Sequence, residues 1–121
     1  MPGYGYARAS KADRTAFRRL VRHAIGRPTL AGVVWLLDIR RDPSEDDRAM
    51  QDLFAAATTP VLAAVTKSDK LPRGQRPGRE GALAAALGLD GDQVIVTSAR
   101  TGEGILELRE AIAALLEAAL R

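Results

Sequence analysis

Apolar positions along the chain follow two different rhythms. Residues 32–39 (GVVWLLDI) and 61–66 (VLAAVT) are short, nearly continuous apolar runs bounded by polar residues or proline, and 93–98 (QVIVTS) is a shorter third. Such runs fit strands buried on both faces, as in a parallel sheet, rather than the strict alternation of a half-solvated strand. Between them lie segments with helical spacing. Residues 44–57 open on Ser44 followed by Glu45, Asp46 and Asp47, an N-cap with acids where the helix dipole favours them. Residues 104–120 place Ile105, Leu108, Ile112, Leu115 and Leu116 on one apolar face. Residues 10–25 carry a weaker face of Phe17, Leu20, Val21 and Ile25, with Ser10 as N-cap, and the alanine-rich 82–87 has ordinary helix composition. Residues 71–81, with two prolines and three glycines, read as the most mobile loop. The order helix, strand, helix, strand, helix, strand, helix predicts an α/β fold, a parallel sheet covered on both faces through right-handed crossovers.

Composition narrows the chemistry. The 121 residues, 46% apolar, suffice for one core and one domain. The absence of cysteine removes disulfides, thiolate zinc sites and cysteine nucleophiles, and the lone His23 cannot build a histidine-rich metal cluster. The apolar run 31–37 is broken at once by Asp38, Arg40 and Arg41, far short of the roughly twenty residues a membrane helix needs. A cytoplasmic protein without a membrane span is expected. The net charge is +3, but the basicity is local: residues 1–28 hold Arg8, Lys11, Arg14, Arg18, Arg19, Arg22 and Arg27 against Asp13 alone. Such a patch can reach phosphate backbones without sequence preference. Taken alone, the patch reads first as a solvated helix face.

In open parallel α/β sheets, ligands bind beyond the carboxyl ends of the strands. Asp38 follows the first run, Thr66-Lys67-Ser68-Asp69 the second, and Thr97-Ser98-Ala99 the third. Guanine presents N1–H and its exocyclic amino group side by side, so one fixed carboxylate can accept both, while adenine offers no such pair. Asp69 is the candidate carboxylate. Lys67 could lie along the base face on its methylene stem while its ammonium ties neighbouring loops together. Ala99 would offer its backbone N–H to the guanine O6, and Ser98 would hold that turn. Singly, Asp69 could be a turn cap before Pro72 and Ser98 a helix N-cap; together, in this order on consecutive strands, they point to purine recognition.

With Pro2-Gly3-Tyr4-Gly5-Tyr6-Ala7, a basic helix, Asp38-Ile39-Arg40, Thr66-Lys67-Ser68-Asp69-Lys70 and Thr97-Ser98-Ala99 in unbroken order, the chain resembles the EngB family of bacterial TrmE-Era-EngA-EngB-Septin-like GTPases. The likeness implies a P-loop GTPase-like three-layer fold, here a C-terminal G-domain portion over 1–121 with about three parallel strands and flanking helices. It implies binding of GTP and GDP, magnesium-dependent hydrolysis, monomeric behaviour when intact, and a role in assembling the large ribosomal subunit, with links to cell division and septation. By the same resemblance, Met1, Pro2 and Gly3 match the last three positions of an Asp-x-Pro-Gly element, where Gly3 would meet the γ-phosphate. Thr66, Lys67 and Asp69 match the guanine-reading element, with Ser68 at its variable third position, and Thr97, Ser98 and Ala99 match the loop that closes over the base. Tyr4 stands where many small GTPases carry a water-orienting glutamine, so no direct catalytic glutamine is expected.

The chain also departs from that family. Its only lysines are Lys11, Lys67 and Lys70, and none follows a glycine, so it holds no Gly-Lys-Ser phosphate loop, and the magnesium ligands of the intact family are not expected in it. A methionine at the variable position of Asp-x-Pro-Gly suggests an internal start or a truncated gene model. Hydrogen bonds to charged groups contribute roughly 1.5 to 3 kcal/mol each, against an association cost of about 4 to 15 kcal/mol. Asp69 and Ala99 alone would roughly break even, so weak binding and little hydrolysis are expected of this portion by itself. Two alternatives stay open: a non-catalytic module using residues 8–27 to touch ribosomal RNA, and another doubly wound nucleotide binder sharing only the topology.

Overall fold

The structure, a computed structural model, describes residues 11–120, which fall into two compact units: residues 11–30 with 43–59, and residues 31–42 with 60–120. Met1, Pro2, Gly3 and Tyr4, and the Ser10 cap, lie outside the described residues.

The first unit pairs two helices, α1 (Lys11–Ile25) and α2 (Glu45–Ala57). A capping box starts α2, with the Asp47 N–H donating to Ser44 Oγ (3.1 Å) and the Ser44 N–H to Asp47 Oδ2 (2.9 Å), as the sequence predicts for a serine followed by acids. Asp46 accepts from Arg18 Nη2 at 3.1 Å and lies 3.8 Å from Arg14 Nε, an ion pair that joins the two helices. Met50 and Phe54 are the buried residues of α2. The half-buried stripe of α1 runs through Arg14, Phe17, Arg18, Val21 and Ile25, and Leu20, expected on it, is 52% exposed. At 3.6 residues per turn, Leu20 sits about 100° around the helix from the middle of that stripe.

The second unit is the sheet with its helices. Strands β1 (Val33–Asp38), β2 (Val61–Thr66) and β3 (Val94–Val96) lie in the order β1-β2-β3, all parallel, with Val33 opposite Val61, Asp38 opposite Thr66 and Val65 opposite Val96. The register brings the carboxyl ends of all three strands to one edge, where ligands are expected. Val61 to Val65 are buried on both faces, matching the continuous apolar run. By contrast β1 alternates: Trp35 and Leu37 are buried, whereas Val34 and Leu36 are 39% and 65% exposed. Among the described residues β1 pairs with β2 only.

Three sequence expectations need correcting. Residues 71–81 form no long loop: a short 3-10 turn at Arg73–Gln75 runs into α3 (Arg76–Leu87). Pro77 falls in the first turn of α3, where its missing N–H breaks no helical bond, and Gly78 and Gly81 face open space. The third strand is shorter than residues 93–98. Gln93 closes a 3-10 turn with its side-chain amide on the Val61 carbonyl (3.2 Å), and Thr97 and Ser98 follow the strand as loop anchors. In α4 (Ile105–Ala119) the half-buried stripe is Leu108, Ala111, Ile112 and Leu115, and Leu116, at its margin, is 53% exposed.

Candidate functional site

Backbone bonds continue past the strand ends and knit the loops together. The Ile39 N–H donates to the Thr66 carbonyl (3.0 Å), Thr97 N–H to Val65 (2.7 Å), and Ser68 N–H to Thr97 (3.1 Å). Thr66 Oγ1 donates to Leu37 O and Thr97 Oγ1 to Val65 O, both at 3.3 Å, so these threonines serve the sheet edge rather than point outward. Lys67 takes the left-handed conformation (φ 63°), rare for a residue with a Cβ, and turns the chain from β2 into the short helical turn Ser68–Lys70. That turn raises Asp69 beside the β3 loop.

Asp69 is held by its neighbour rather than left to solvent. Ser98 Oγ donates to Asp69 Oδ1 at 2.8 Å, and Arg100 Nη1 lies 3.9 Å from Oδ2, an ion pair too long for a hydrogen bond. The Ser98 hydroxyl is the main reason the Asp69 carboxyl titrates below the usual range, with its own backbone N–H, Lys70 and Arg100 adding to the effect against partial burial. The result is an ionised carboxylate with a fixed plane whose second oxygen can accept further bonds. Ser98 itself is fully buried; besides holding Asp69 it accepts the Thr101 N–H at 3.2 Å, so it is a turn-former as well. It does not cap α4, since that position belongs to Gly104. Ala99, next along, is exposed.

Asp38, at the end of β1, makes a second charged centre. Arg40 grips it with two side-chain bonds, Nε to Oδ1 (3.1 Å) and Nη2 to Oδ2 (2.9 Å), and with its backbone N–H (2.9 Å). Lys67 Nζ lies 3.6 Å from the same carboxylate, which ties the loop after β2 to the end of β1. The Arg40 hydrogen bond is the chief cause holding the Asp38 carboxyl down at about 2, with Lys67 a smaller contributor, and the pair in turn raises the Arg40 guanidinium. Among the described residues no group of three or more His, Cys, Asp or Glu could hold a metal ion.

Two loop glycines complete the frame. Gly102 (φ 83°) and Gly104 (φ 72°) take left-handed turns, and a Cβ on Gly104 would sit 2.0 Å from the Val96 carbonyl oxygen, so only glycine fits there. The Ser98 N–H donates to the Glu103 carbonyl (2.9 Å) and the Gly102 N–H to the Ser98 carbonyl (2.8 Å), closing the loop on itself.

No protein-family model matches the chain. Over 117 residues, 96% of its length, it is 47% identical to a protein of Gemmatimonas aurantiaca named "Probable GTP-binding protein EngB", of which it covers 57%. A protein of the same name from Syntrophomonas wolfei is 40% identical over 117 residues, 96% of this chain and 60% of that protein. Over nearly its whole length the chain is similar to proteins named EngB. It spans little more than half the length of these EngB relatives. A crystal structure described as a probable GTP-binding protein engB superposes with a TM-score of 0.79 at 20% identity, over 97% of this chain and 74% of that one. The FeoB G-domain of Methanococcus jannaschii does so with 0.59 at 22% identity, over 97% and 69%. At those identities the two structures speak for the α/β fold alone.

Of the sequence-predicted residues, Thr66 closes β2, and Lys67, Ser68, Asp69, Thr97, Ser98 and Ala99 lie on two adjoining loops at the carboxyl ends of the strands. Ser68 is the surprise. Read as a variable position, it is fully buried and donates to the Glu103 carboxylate. Sequence reasoning also missed Arg40, Arg76, Arg79 and Glu103. From α3, Arg79 reaches the carbonyls of Ile39 (2.8 Å) and Arg41 (2.7 Å) and the Asp42 carboxylate (2.8 Å), fastening the loop after β1. Arg40, two residues after Asp38, had a local signal; the two α3 arginines and Glu103 act across long sequence separations and had none.

Proposed function

We propose that this EngB-like chain carries the guanine-reading part of a GTP-binding site, with Asp69 accepting guanine N1–H and the exocyclic amine, Lys67 lying along the base, and the Ala99 N–H meeting O6. The single observation that carries this is the Asp69 carboxylate, kept ionised and oriented by Ser98 at 2.8 Å from the neighbouring strand end. The naming of its relatives as GTP-binding proteins supports the ligand. Titration with labelled GDP and ADP tests it: saturable binding of GDP over ADP, weakened at least tenfold in Asp69→Asn, is expected, and equal affinity for the two bases would refute it.

The wider role follows the family resemblance. Within a longer EngB-type protein, this portion would contribute base recognition, with Met1, Pro2 and Gly3 near the γ-phosphate, to a cytoplasmic, monomeric GTPase that uses magnesium in large-subunit assembly and supports cell division and septation. A second reading is favoured by the charge of α1. Arg14 and Arg18 face Asp46, while Lys11, Arg19, Arg22 and Arg27 are exposed, a cationic surface suited to ribosomal RNA. Salt-sensitive RNA binding without any GDP binding would favour that module over the nucleotide site. Among the described residues no helix is long and apolar enough to cross a membrane.

A further inference from the structure

We infer that Glu103 is a positioning residue for base recognition, the point where the two base-reading loops are locked to each other. The inference rests on the guanine reading above and adds to it the group that fixes the distance between Asp69 and the β3 loop.

Glu103 holds both loops at once. Its backbone carbonyl accepts the Ser98 N–H at 2.9 Å, and Ser98 is the residue that orients Asp69. Its side chain accepts the hydroxyl of Ser68, the residue before Asp69, which is fully buried. The same carboxylate takes Arg76 Nη1 on both oxygens, at 3.2 and 3.1 Å, while Arg76 Nε donates to the Leu71 carbonyl at 3.1 Å, where the loop after β2 ends. Asp69 is therefore flanked on the chain by two residues, Ser68 and Leu71, that reach Glu103 directly or through Arg76, and is gripped across the gap by a third, Ser98, that also reaches it. The flanking Gly102 and Gly104, both with positive φ, bend the chain so that one residue can present its carbonyl and its carboxylate to these partners.

The chemistry favours alignment over mere attachment. Removing the carboxylate leaves the Ser68 hydroxyl buried without an acceptor, and Arg76, with only 18% of its side chain exposed, without its ion-pair partner. The backbone bonds from Ser68 to Thr97 and from Ser98 to Glu103 remain, so the loops stay folded but lose the constraint on their spacing. Two bonds to guanine through one carboxylate are sensitive to that spacing, because a small displacement keeps one bond and sacrifices the other.

The test compares GDP with IDP, whose hypoxanthine base lacks the exocyclic amine and so reads the second Asp69 bond. Affinities of both are measured by competition against labelled GDP for the wild-type chain, Glu103→Ala, Glu103→Gln, Ser68→Ala and the exposed control Glu107→Ala. The GDP preference over IDP is expected to fall by roughly fivefold in Glu103→Ala and in Ser68→Ala. It is expected to be largely restored in Glu103→Gln, which keeps an acceptor for Ser68, and unchanged in Glu107→Ala. General destabilisation would lower both affinities and leave the ratio intact. A wild type that prefers GDP, with Glu103→Ala and Ser68→Ala keeping the same ratio, overturns this inference alone; a wild type with no preference overturns the guanine reading and this inference with it. Should one of the alanine variants not fold, the other decides.

Discussion

The two edges of the sheet in the second unit are built on opposite plans. At the carboxyl ends of β2 and β3, the buried Ser68, Thr97 and Ser98 are all hydrogen-bonded, and Asp69 is fixed between them. Along β1 the chain instead shows Val34 and Leu36 to solvent, with Trp35 and Leu37 buried between them. One region holds polar groups with apolar precision, while the other leaves apolar groups on an edge. The contrast teaches that order is concentrated at the carboxyl ends of the strands: the loops that would read a base are anchored to one another, to α3 and to the end of β1, while the exposed face of β1 takes no part in that network.

The contrast can be broken at its tightest point first. Gly104→Ala forces a side chain to within 2.0 Å of the Val96 carbonyl oxygen at φ 72°, so the β3 loop must shift. A loss of about 4 kcal/mol or more in urea unfolding is expected; a loss under about 1 kcal/mol would mean the loop is not rigidly built. On the strand, neighbouring residues should differ by face. Trp35→Ala should cost about 3 kcal/mol, whereas Leu36→Lys should stay within about 0.5 kcal/mol in the same assay. The Leu36→Lys variant should also lower self-association in sedimentation at high concentration, since charge blunts an apolar edge. Association equal to wild type would show that this edge is not adhesive.

The charged pairs give a smaller, pH-dependent effect. The Asp38 carboxyl is depressed from 3.8 to about 2 by Arg40, so its contribution is present above pH about 4 and is lost as pH falls towards 2. Urea midpoints of wild type and Asp38→Asn should therefore differ near neutrality and converge near pH 2; a difference that persists there would assign the effect to packing. The smallest effect should come from Gly81, inside α3 with nothing within 4 Å of a new Cβ. Gly81→Ala should stabilise by about 0.5 to 1 kcal/mol, in contrast with Gly104→Ala.

Most of the fold was legible because its signals are local. Apolar runs marked the strands to within a residue or two for β1 and β2, and the Ser44-Glu45-Asp46-Asp47 start marked α2. The failures came where tertiary context overrode local punctuation. Pro77 and three glycines read as a loop, yet the proline sits where a helix tolerates it and the glycines face solvent. Leu20 and Leu116 were apolar residues at the margins of stripes whose centres only packing fixes. In the site, Asp69 and Ser98 were legible as a pair because guanine demands a carboxylate and the two loops follow consecutive strands. The structure adds that they touch. Glu103, Arg76 and Arg79 were not legible, because a charged residue in a glycine-rich turn or on a helix face looks like surface until the fold brings its partner to it.

The most direct test of base recognition exchanges the chemistry of one atom. Asp69→Asn keeps an oxygen for Ser98 and puts an amine where the second carboxylate oxygen stood, which suits xanthine, with its N1–H beside a carbonyl, and no longer suits guanine. Competition binding of GDP and XDP should show a wild-type preference for GDP that reverses in favour of XDP in Asp69→Asn, while the melting midpoint holds. A wild-type chain that binds both equally, or a variant that keeps the preference for GDP, would contradict the assignment of Asp69 as the residue that reads the base.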